Sequence, residues 1–369
     1  MSLLNSTNLL TSRYIVFFLR RANTTLVYKR NMFSLQNMFL WMSARSRMVP
    51  IGNLGKTRSA TTLTDPGAFT EMVKSVIPPL TFDKHKGQAG RVATIGGSSS
   101  YTGAPFFSAM SALRLGCDLS IVFCTPDSSV AIKSYSPEII VHPFLNTSNG
   151  LEQITSMLNK FHATIIGPGL GRDDSLLPTI KSIINKCRDL DMPLVIDADG
   201  VFFVSQDPDM IKNYNKAILT PNVVEFKHLF QNVVGEDPNP DEPIHDVMVL
   251  ARALGNVTIV RKGLNDIIAD GNKILVCCGE GSPRRCGGQG DILSGTMGTF
   301  TCWANMVFSK ESQVQNTMLQ TYGPNICAAY GACLLTRQCA KQAFAQMGRQ
   351  MTTTDMMAEL HRAFVYLYE

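Results

Sequence analysis

The sequence predicts an α/β protein with a largely parallel sheet and helices on both of its faces. From about residue 90 to residue 260, short apolar runs alternate with segments whose apolar residues recur at helical spacing. This alternation is typical of parallel strands joined by crossover helices. Most of the apolar runs end in a glycine-rich or polar cluster, which is where open parallel sheets bind ligands. A chain of 369 residues with 45% hydrophobic and 17% charged residues can also bury a sizeable core.

Each element of this fold is predicted from apolar spacing and from the glycines and prolines that bound it. Strands are predicted at 91–95, 119–124, 138–141, 163–166, 193–196, 217–219 and 257–260. Helices are predicted at 69–77, 102–116, 151–160, 176–187, from 223 onward, and at 244–254. The runs 267–269 and 273–278 flank an Asp-Gly pair and predict a β-hairpin. Two helices, 323–347 and 354–368, close the chain, and a single domain is expected over residues 65–369.

Residues 1–64 differ from the rest of the chain because they are basic and contain no acidic residue. They contain no acid and nine of the 34 Lys and Arg residues, which leaves 25 bases against 29 acids in the remainder. The basic balance therefore belongs to this segment, and a nucleic-acid partner is not expected. The composition predicts a mitochondrial targeting segment, with a disordered tail as the alternative. The apolar run 14–19 is too short to span a membrane. An internal start would give a shorter cytoplasmic form, at Met32, Met38, Met42 or Met48.

The ten cysteines do not form a recognisable metal or disulfide pattern. There is no C-x-x-C, and several cysteines lie within apolar runs. Buried, reduced thiols in an intracellular protein are expected.

One stretch near residue 290 carries the strongest chemical signal. It consists of Gly281, Ser282, Pro283, Arg284, Arg285, Cys286, Gly287, Gly288, Gln289, Gly290 and Asp291. Glycines allow backbone N–H groups to converge on one point, and the start of a helix favours an anion. An acid beside a phosphate cradle is suited to removing a proton from an attacking hydroxyl. The alternative is a mobile glycine loop before a helix.

Three further clusters follow predicted strands, and each allows two interpretations. The loop 167–171 (GPGLG) permits close backbone approach to a ligand or makes a tight turn, and Arg172 replaces the glycine of a dinucleotide fingerprint. Asn222 and Glu225 form a helix capping box, or Glu225 holds hydrated Mg²⁺. Asp197 and Asp199 contact a ligand or bind local backbone amides.

Together these motifs resemble the ATP-dependent NAD(P)H-hydrate dehydratases of the ribokinase-like superfamily, over roughly residues 70–368. The motifs are KHKG (84–87) with GRV (90–92), GGS (96–98), YTGA (101–104), IGPGLG (166–171), VIDADG (195–200), LTPN-xx-EF (219–226), RKG (261–263) and GGQGD (287–291). The resemblance implies a ribokinase-like three-layer α/β/α sandwich with a central, mostly parallel sheet. Gln289 departs from the family, which often has a small residue there.

The resemblance also implies a reaction. A lyase of this family would use ATP and Mg²⁺ to phosphorylate the ring hydroxyl of the S form of NADH hydrate or NADPH hydrate and then eliminate phosphate. The alternatives are a vitamin-alcohol kinase of the same fold and a binding protein that has lost catalysis. No membrane partner is expected, and a homo-oligomer stays open.

Site residues follow from the motif match. Asp291 would be the base, and the N–H groups of Gly288, Gln289 and Gly290 would stabilise the transferring phosphoryl group. The damaged dinucleotide would contact Gly169, Gly171, Asn222, Val223, Val224, Glu225, Phe226, Lys227, His228 and Asp291. ATP would contact Lys262, Gly263, Leu264, Asn265, Asp266 and residues Gly281 to Gly290. Glu225 would hold the metal through water.

Overall fold

The computed structural model describes residues 66–310 and 314–369. The predicted targeting segment and its boundary at residue 64 lie outside the described residues. Within them, the chain builds one nine-stranded sheet that is flanked on both faces by helices.

The strands are short and mostly buried. They are β1 Arg91–Ile95, β2 Leu119–Phe123, β3 Ile140–His142, β4 Ala163–Ile166, β5 Leu194–Ile196, β6 Ala217–Leu219, β7 Thr258–Arg261, β8 Asp266–Ala269 and β9 Ile274–Cys277. Their order across the sheet is β3-β2-β1-β4-β5-β6-β7-β8-β9. Strands β1 to β7 pair in parallel, whereas β8 and β9 are antiparallel. The strand order reverses between β1 and β4, which is the position where such sheets open a crevice.

The helices form the two outer layers. They are α1 Pro66–Lys74, α2 Gly103–Leu115, α3 Pro126–Tyr135, α4 Gly150–Met157, α5 Leu177–Asp189, α6 Asp199–Gln206, α7 Val223–Val234, α8 Pro243–Ala253, α9 Gln289–Phe308, α10 Thr317–Met347, α11 Thr353–Ala358 and α12 Leu360–Tyr368. Short 3₁₀ turns occur at Leu158–Lys160, Asp174–Leu176, Pro208–Met210 and Gly348–Gln350. Helix α10 is kinked at Gly323, which has φ +81° and precedes Pro324.

Alternate residues of each strand supply two hydrophobic cores. Val92 and Ile165 pack with α1 to α3 and α9 to α12 on one face, whereas Ala93 and Ile166 pack with α4 to α8 on the other. This alternation follows from the period of two along a strand. The predicted three-layer α/β/α arrangement is therefore confirmed.

Helix α9 lies deep in the first of these cores. A Cβ at Gly295 would stand 2.0 Å from the Ser108 carbonyl oxygen, and one at Gly298 would stand 2.7 Å from Ile165. The hydroxyls of Ser108 and Ser294 also hydrogen bond at 3.1 Å. Helix α9 is thus held at close range by both α2 and the sheet, and its first turn emerges at the carboxyl ends of the strands.

Most predicted elements are confirmed, including the hairpin β8–β9. Helices α3 and α6 were not predicted, because α3 is polar with few buried residues and α6 begins after Ala198 at φ +48°. The closing helix predicted at 354–368 is divided into α11 and α12. No helix of the described residues is both long and apolar enough to span a membrane.

All ten cysteines are free, and all except Cys278 and Cys286 are buried or nearly so. This confirms the expectation that most of the thiols are buried, and their reduced state stays a prediction.

Candidate active site

Polar residues from several strands meet at the carboxyl edge of the sheet. We call the loop 167–171 and residues Asn222–His228, which follow β4 and β6, the substrate side, after the role that the family resemblance predicts for them. We call Lys262–Asp266 and residues 281–290 the ATP side, because they follow β7 and β9. Asp291 lies in the first turn of α9, directly after residues 281–290.

The start of α9 forms an anion cradle. Gly288 adopts φ +93°, where a Cβ would stand 2.7 Å from Thr353 Oγ1, so the position favours glycine. The backbone N–H groups of Gly288, Gln289 and Gly290 make no hydrogen bond within the described part of the chain. They are therefore available to an anionic ligand at the positive end of the helix.

A lysine lies among several acids beside this cradle. Lys262 Nζ donates to Asp197 Oδ1 at 2.8 Å and lies 4.0 Å from Glu225 Oε2. A Cβ built on Gly290 would stand only 3.6 Å from the same nitrogen. Asp197 is buried and also accepts a hydrogen bond from Thr220 Oγ1 at 2.7 Å. Lys262 is consequently fixed between the substrate side and the phosphate cradle.

The charges of this cluster shift one another's pKa values. Burial and the nearby Asp197 raise the pKa of Asp291 to about 8, against the opposing effect of Lys262. Burial lowers the pKa of Lys262, but Asp197, Glu225 and Asp291 outweigh it, and the net pKa is raised. Lys262 therefore stays a cation, and the raised pKa of Asp291 suits a carboxyl group that takes up a proton.

The glycine loop of the substrate side packs closely against its neighbours. A Cβ on Gly167 would stand 1.7 Å from the Asp197 carbonyl oxygen, and one on Gly169 would stand 2.7 Å from the Tyr101 carbonyl oxygen. Gly171 N donates to Asp199 Oδ2 at 2.9 Å. The loop is therefore a tight turn packed against its neighbours, and its contact with a ligand stays a prediction.

Helix α7 begins with a complete capping box. Asn222 Oδ1 accepts from the N–H groups of Val224 and Glu225, and Glu225 Oε2 accepts from Asn222 N at 2.8 Å. The exposed residues Val223, Val224, Lys227 and His228 form one face of the helix. Phe226 is 1% exposed and packs in the core, so the structure does not bring its side chain to the surface of the site.

An arginine from α10 holds the first half of the ATP side. Arg337 Nε donates to Asp266 Oδ2 at 2.7 Å, and its Nη atoms donate to the carbonyl oxygens of Gly263, Leu264 and Gly279 at 2.8–3.1 Å. Asp266 in turn accepts from Gly263 N. The side chain of Leu264 is left largely exposed, and that of Asn265 is exposed as well.

Residues at the start of α11 hold the second half of the ATP side, residues 281–290. Thr353 Oγ1 donates to the Gly287 carbonyl oxygen at 2.6 Å, and Arg284 Nε donates to the Met351 carbonyl oxygen at 3.4 Å. Gln289 Nε2 donates to the Arg284 carbonyl oxygen at 3.1 Å. Ser282 is buried, whereas Pro283 and Arg285 are exposed.

Sequence reasoning left some of these contributors out. Asp197 was a candidate ligand contact together with Asp199, but it was given no role in the predicted site. Its position at the carboxyl end of β5 was the feature that could have identified it. Arg337 and Thr353 carried no signal, because their partners are 58–74 residues distant in the chain. The segment 84–87, part of the family resemblance, precedes β1 and therefore lies at the amino edge of the sheet, away from the site.

Glu225 fits an indirect metal contact. Its Oε2 atom is occupied by the capping box, and Oε1 makes no hydrogen bond within the described residues. Those residues contain no cluster of three or more His, Cys, Asp or Glu side chains that would hold a metal directly. This suits a hydrated Mg²⁺ that takes most of its ligands from phosphates and water.

Comparisons with known proteins agree with this geometry. The family model described as NAD(P)H-hydrate dehydratase matches residues 92–362. A human ATP-dependent (S)-NAD(P)H-hydrate dehydratase is 46% identical over 312 residues, which cover 85% of this chain and 88% of the human protein.

Two solved structures share the fold. A ribokinase-like superfamily protein from Enterococcus faecalis has a TM-score of 0.64 at 22% identity, covering 81% of this chain and 95% of its own. An ADP/ATP-dependent NAD(P)H-hydrate dehydratase from Bacillus subtilis, co-crystallised with ATP and Mg²⁺, has a TM-score of 0.61 at 19% identity, covering 81% and 97%. The fold is therefore ribokinase-like, and by sequence the chain belongs to the NAD(P)H-hydrate dehydratase family.

Proposed function

We propose that this protein is an ATP-dependent dehydratase that restores NADH and NADPH from the S forms of their hydrates. The observation that carries the proposal is the position of Asp291. Asp291 directly follows Gly288, Gln289 and Gly290, whose backbone N–H groups are unpaired within the described residues. Its carboxyl group is close enough to Lys262 for the two charges to interact. A base, an anion cradle and a cation are thereby gathered where a hydroxyl would meet a phosphate.

The first half of the reaction is phosphoryl transfer. Asp291 takes the proton from the ring hydroxyl while that oxygen attacks the terminal phosphorus of ATP, and the bond from this phosphorus to ADP breaks. The N–H groups of Gly288, Gln289 and Gly290 stabilise charge on the transferring group. Lys262 neutralises part of the same charge, with Asp197 holding its amine in place.

The second half is elimination. Hydroxide is a poor leaving group, whereas phosphate leaves readily with the electron pair of the carbon–oxygen bond. Loss of a proton from the adjacent ring carbon then restores the dihydronicotinamide. The substrate side supplies apolar contacts for a ring through the exposed Val223 and Val224.

Mg²⁺ is proposed as the metal that accompanies ATP and partly neutralises its phosphates. Glu225 would hold it through water, with the free Oε1 atom. A requirement for Mg²⁺ predicts loss of turnover when a chelator is added and recovery when Mg²⁺ is restored.

We also propose that residues 1–64 direct the protein to mitochondria, because they combine nine bases with no acid. A fluorescent reporter fused to residues 1–64 should enter mitochondria, and a diffuse reporter would contradict the proposal. Light scattering of the purified protein would measure its oligomeric state.

The decisive experiment incubates the protein with NADH hydrate, Mg²⁺ and ATP while the absorbance of reduced nicotinamide is recorded. Recovery of the absorbance only with ATP supports the dehydratase. ATP consumption without recovery of the absorbance would mean that the hydrate is phosphorylated but phosphate is not eliminated, and vitamin alcohols are tested as acceptors when neither change occurs. If neither occurs, the proposed function is wrong.

A further inference from the structure

Arg172 stands at the outer end of the substrate side and has no part in the mechanism above. It directly follows the loop 167–171 that closes β4. Its Nε atom donates to Asp199 Oδ1 at 2.9 Å, and the other oxygen of the same carboxylate accepts from Gly171 N at 2.9 Å. The mostly buried carboxylate of Asp199 therefore fixes both the glycine loop and Arg172.

The guanidinium group of Arg172 is held in one orientation but keeps free hydrogen-bond donors. It lies over the ring of Phe202, with Cζ 5.1 Å from the ring centroid. The side chain nevertheless remains 58% exposed, and its two Nη groups make no hydrogen bond within the described part of the chain. A planar guanidinium with one edge fixed and the other edge open presents a two-pronged donor to an anion.

Arg172 also borders the substrate side. Its partner Asp199 accepts from Gly171 N in the loop 167–171 and stands two residues after Asp197, which pairs with Lys262. The gap between the loop 167–171 and α7 is where the dinucleotide is proposed to lie. Arg172 is thus a cation on the border of that gap.

Arg172 and the first loop of the ATP side follow different strands. Strands β5 and β6 lie between β4, which Arg172 follows, and β7, which leads to Lys262–Asp266. Three strand spacings of about 4.8 Å place these two strand ends about 14 Å apart. The phosphate cradle is nearer, because a Cβ on Gly290 would stand 4.0 Å from Asp197 Oδ2, and Asp197 follows β5. The KM for ATP must therefore be measured beside the KM for hydrate to assign the anion that Arg172 binds.

We propose that Arg172 binds a phosphate group of the damaged dinucleotide through its two Nη groups and so contributes to substrate affinity. This inference rests on the proposed function. A dinucleotide offers two phosphate sources, the pyrophosphate bridge that both hydrates contain and the 2′-phosphate that only NADPH hydrate contains. The two sources make different predictions for the two substrates.

The test compares Arg172→Ala and Arg172→Lys with the wild-type protein, using NADH hydrate and NADPH hydrate in turn. For Arg172→Ala, the KM for hydrate should rise about 10-fold or more, as expected for loss of charged hydrogen bonds. The kcat and the KM for ATP should stay within about twofold of wild type. Arg172→Lys should recover only part of the affinity, because an amine lacks the guanidinium fork.

The substrate comparison identifies the phosphate. A rise in KM for both hydrates assigns Arg172 to the pyrophosphate, and a rise for NADPH hydrate alone assigns it to the 2′-phosphate. Lys181→Ala is the matched control, because Lys181 pairs with Asp207 at a comparable exposure of 46% but lies on α5 away from the gap. Its kinetic constants should not change.

Failure of this inference is distinguishable from failure of the proposed function. If wild type restores the absorbance but Arg172→Ala keeps the wild-type KM for both hydrates, Arg172 does not bind the substrate. A change confined to the KM for ATP would also overturn the inference. If wild type restores no absorbance, the proposed function is wrong and the inference falls with it.

Discussion

The two sides of the site are built in different ways. On the substrate side the contacts come from the earlier strands: the capping box of α7 joins residues three apart, and the loop 167–171 is held by Gly97 and Ser98 after β1 and by Asp199 after β5. On the ATP side the loops are fastened by Arg337, Met351 and Thr353, which come from the last part of the chain. The two binding functions therefore depend on separate sets of contacts, and substitutions should affect them separately.

Asp291 lies where the two sides meet, so its loss should affect rate rather than binding. Asp291→Asn preserves shape but removes the base, and we expect kcat to fall about a thousandfold. Calorimetric titration should still detect ATP binding. Asp207→Asn, at an ion pair away from the site, is the control and should keep wild-type turnover. Wild-type turnover in Asp291→Asn would remove the assigned role.

The pH dependence tests the same residue without a substitution. Asp291 acts as a base only when ionised, and its pKa is raised to about 8 by burial and Asp197. Activity should therefore rise with pH and level off above about 8, with kcat/KM roughly a hundredfold lower at pH 6 than at its plateau. The residual activity of Asp291→Asn should not follow this profile. A wild-type profile that is flat from pH 6 to 9 would contradict the assignment.

Arg337 tests whether the ATP side is independent. Arg337→Ala removes four hydrogen bonds that fix Lys262–Asp266 and its neighbour Gly279. The KM for ATP should rise about 10-fold while the KM for hydrate stays within about twofold.

A second variant guards against general unfolding. Arg337→Lys keeps the charge beside Asp266 and should give a smaller rise in the KM for ATP. Equal increases in both KM values in Arg337→Ala would show that the two sides are coupled, and the inference that they depend on separate contacts would then be wrong.

Asn222 provides the reciprocal test with a smaller effect. Asn222→Ala removes the N-cap of α7 and should lower stability by about 1 kcal/mol, or about 2 °C in Tm. The KM for hydrate should rise while the KM for ATP is unchanged. Thermal unfolding and steady-state kinetics on one preparation measure both, and a changed KM for ATP alone would contradict the division.

The same contrast explains what could be predicted from the sequence. The sheet, its antiparallel hairpin and the Asn222–Glu225 cap depend on neighbouring residues, so local patterns predicted them. Arg337 and Thr353 act on partners 58–74 residues away, and nothing near them in the sequence indicates that contact. Helix α6 was missed for a different reason, since it has only eight residues and begins after an unusual backbone conformation at Ala198.

The contacts that fasten the ATP side also set an order of assembly. All nine strands and Asp291 precede Arg337, Met351 and Thr353 in the chain, so the ribosome releases them first. A nascent chain can form the sheet and the cap of α7 while the nucleotide loops still lack the residues that fasten them. The protein therefore acquires its nucleotide site last during synthesis, after the platform that would hold the damaged dinucleotide is in place.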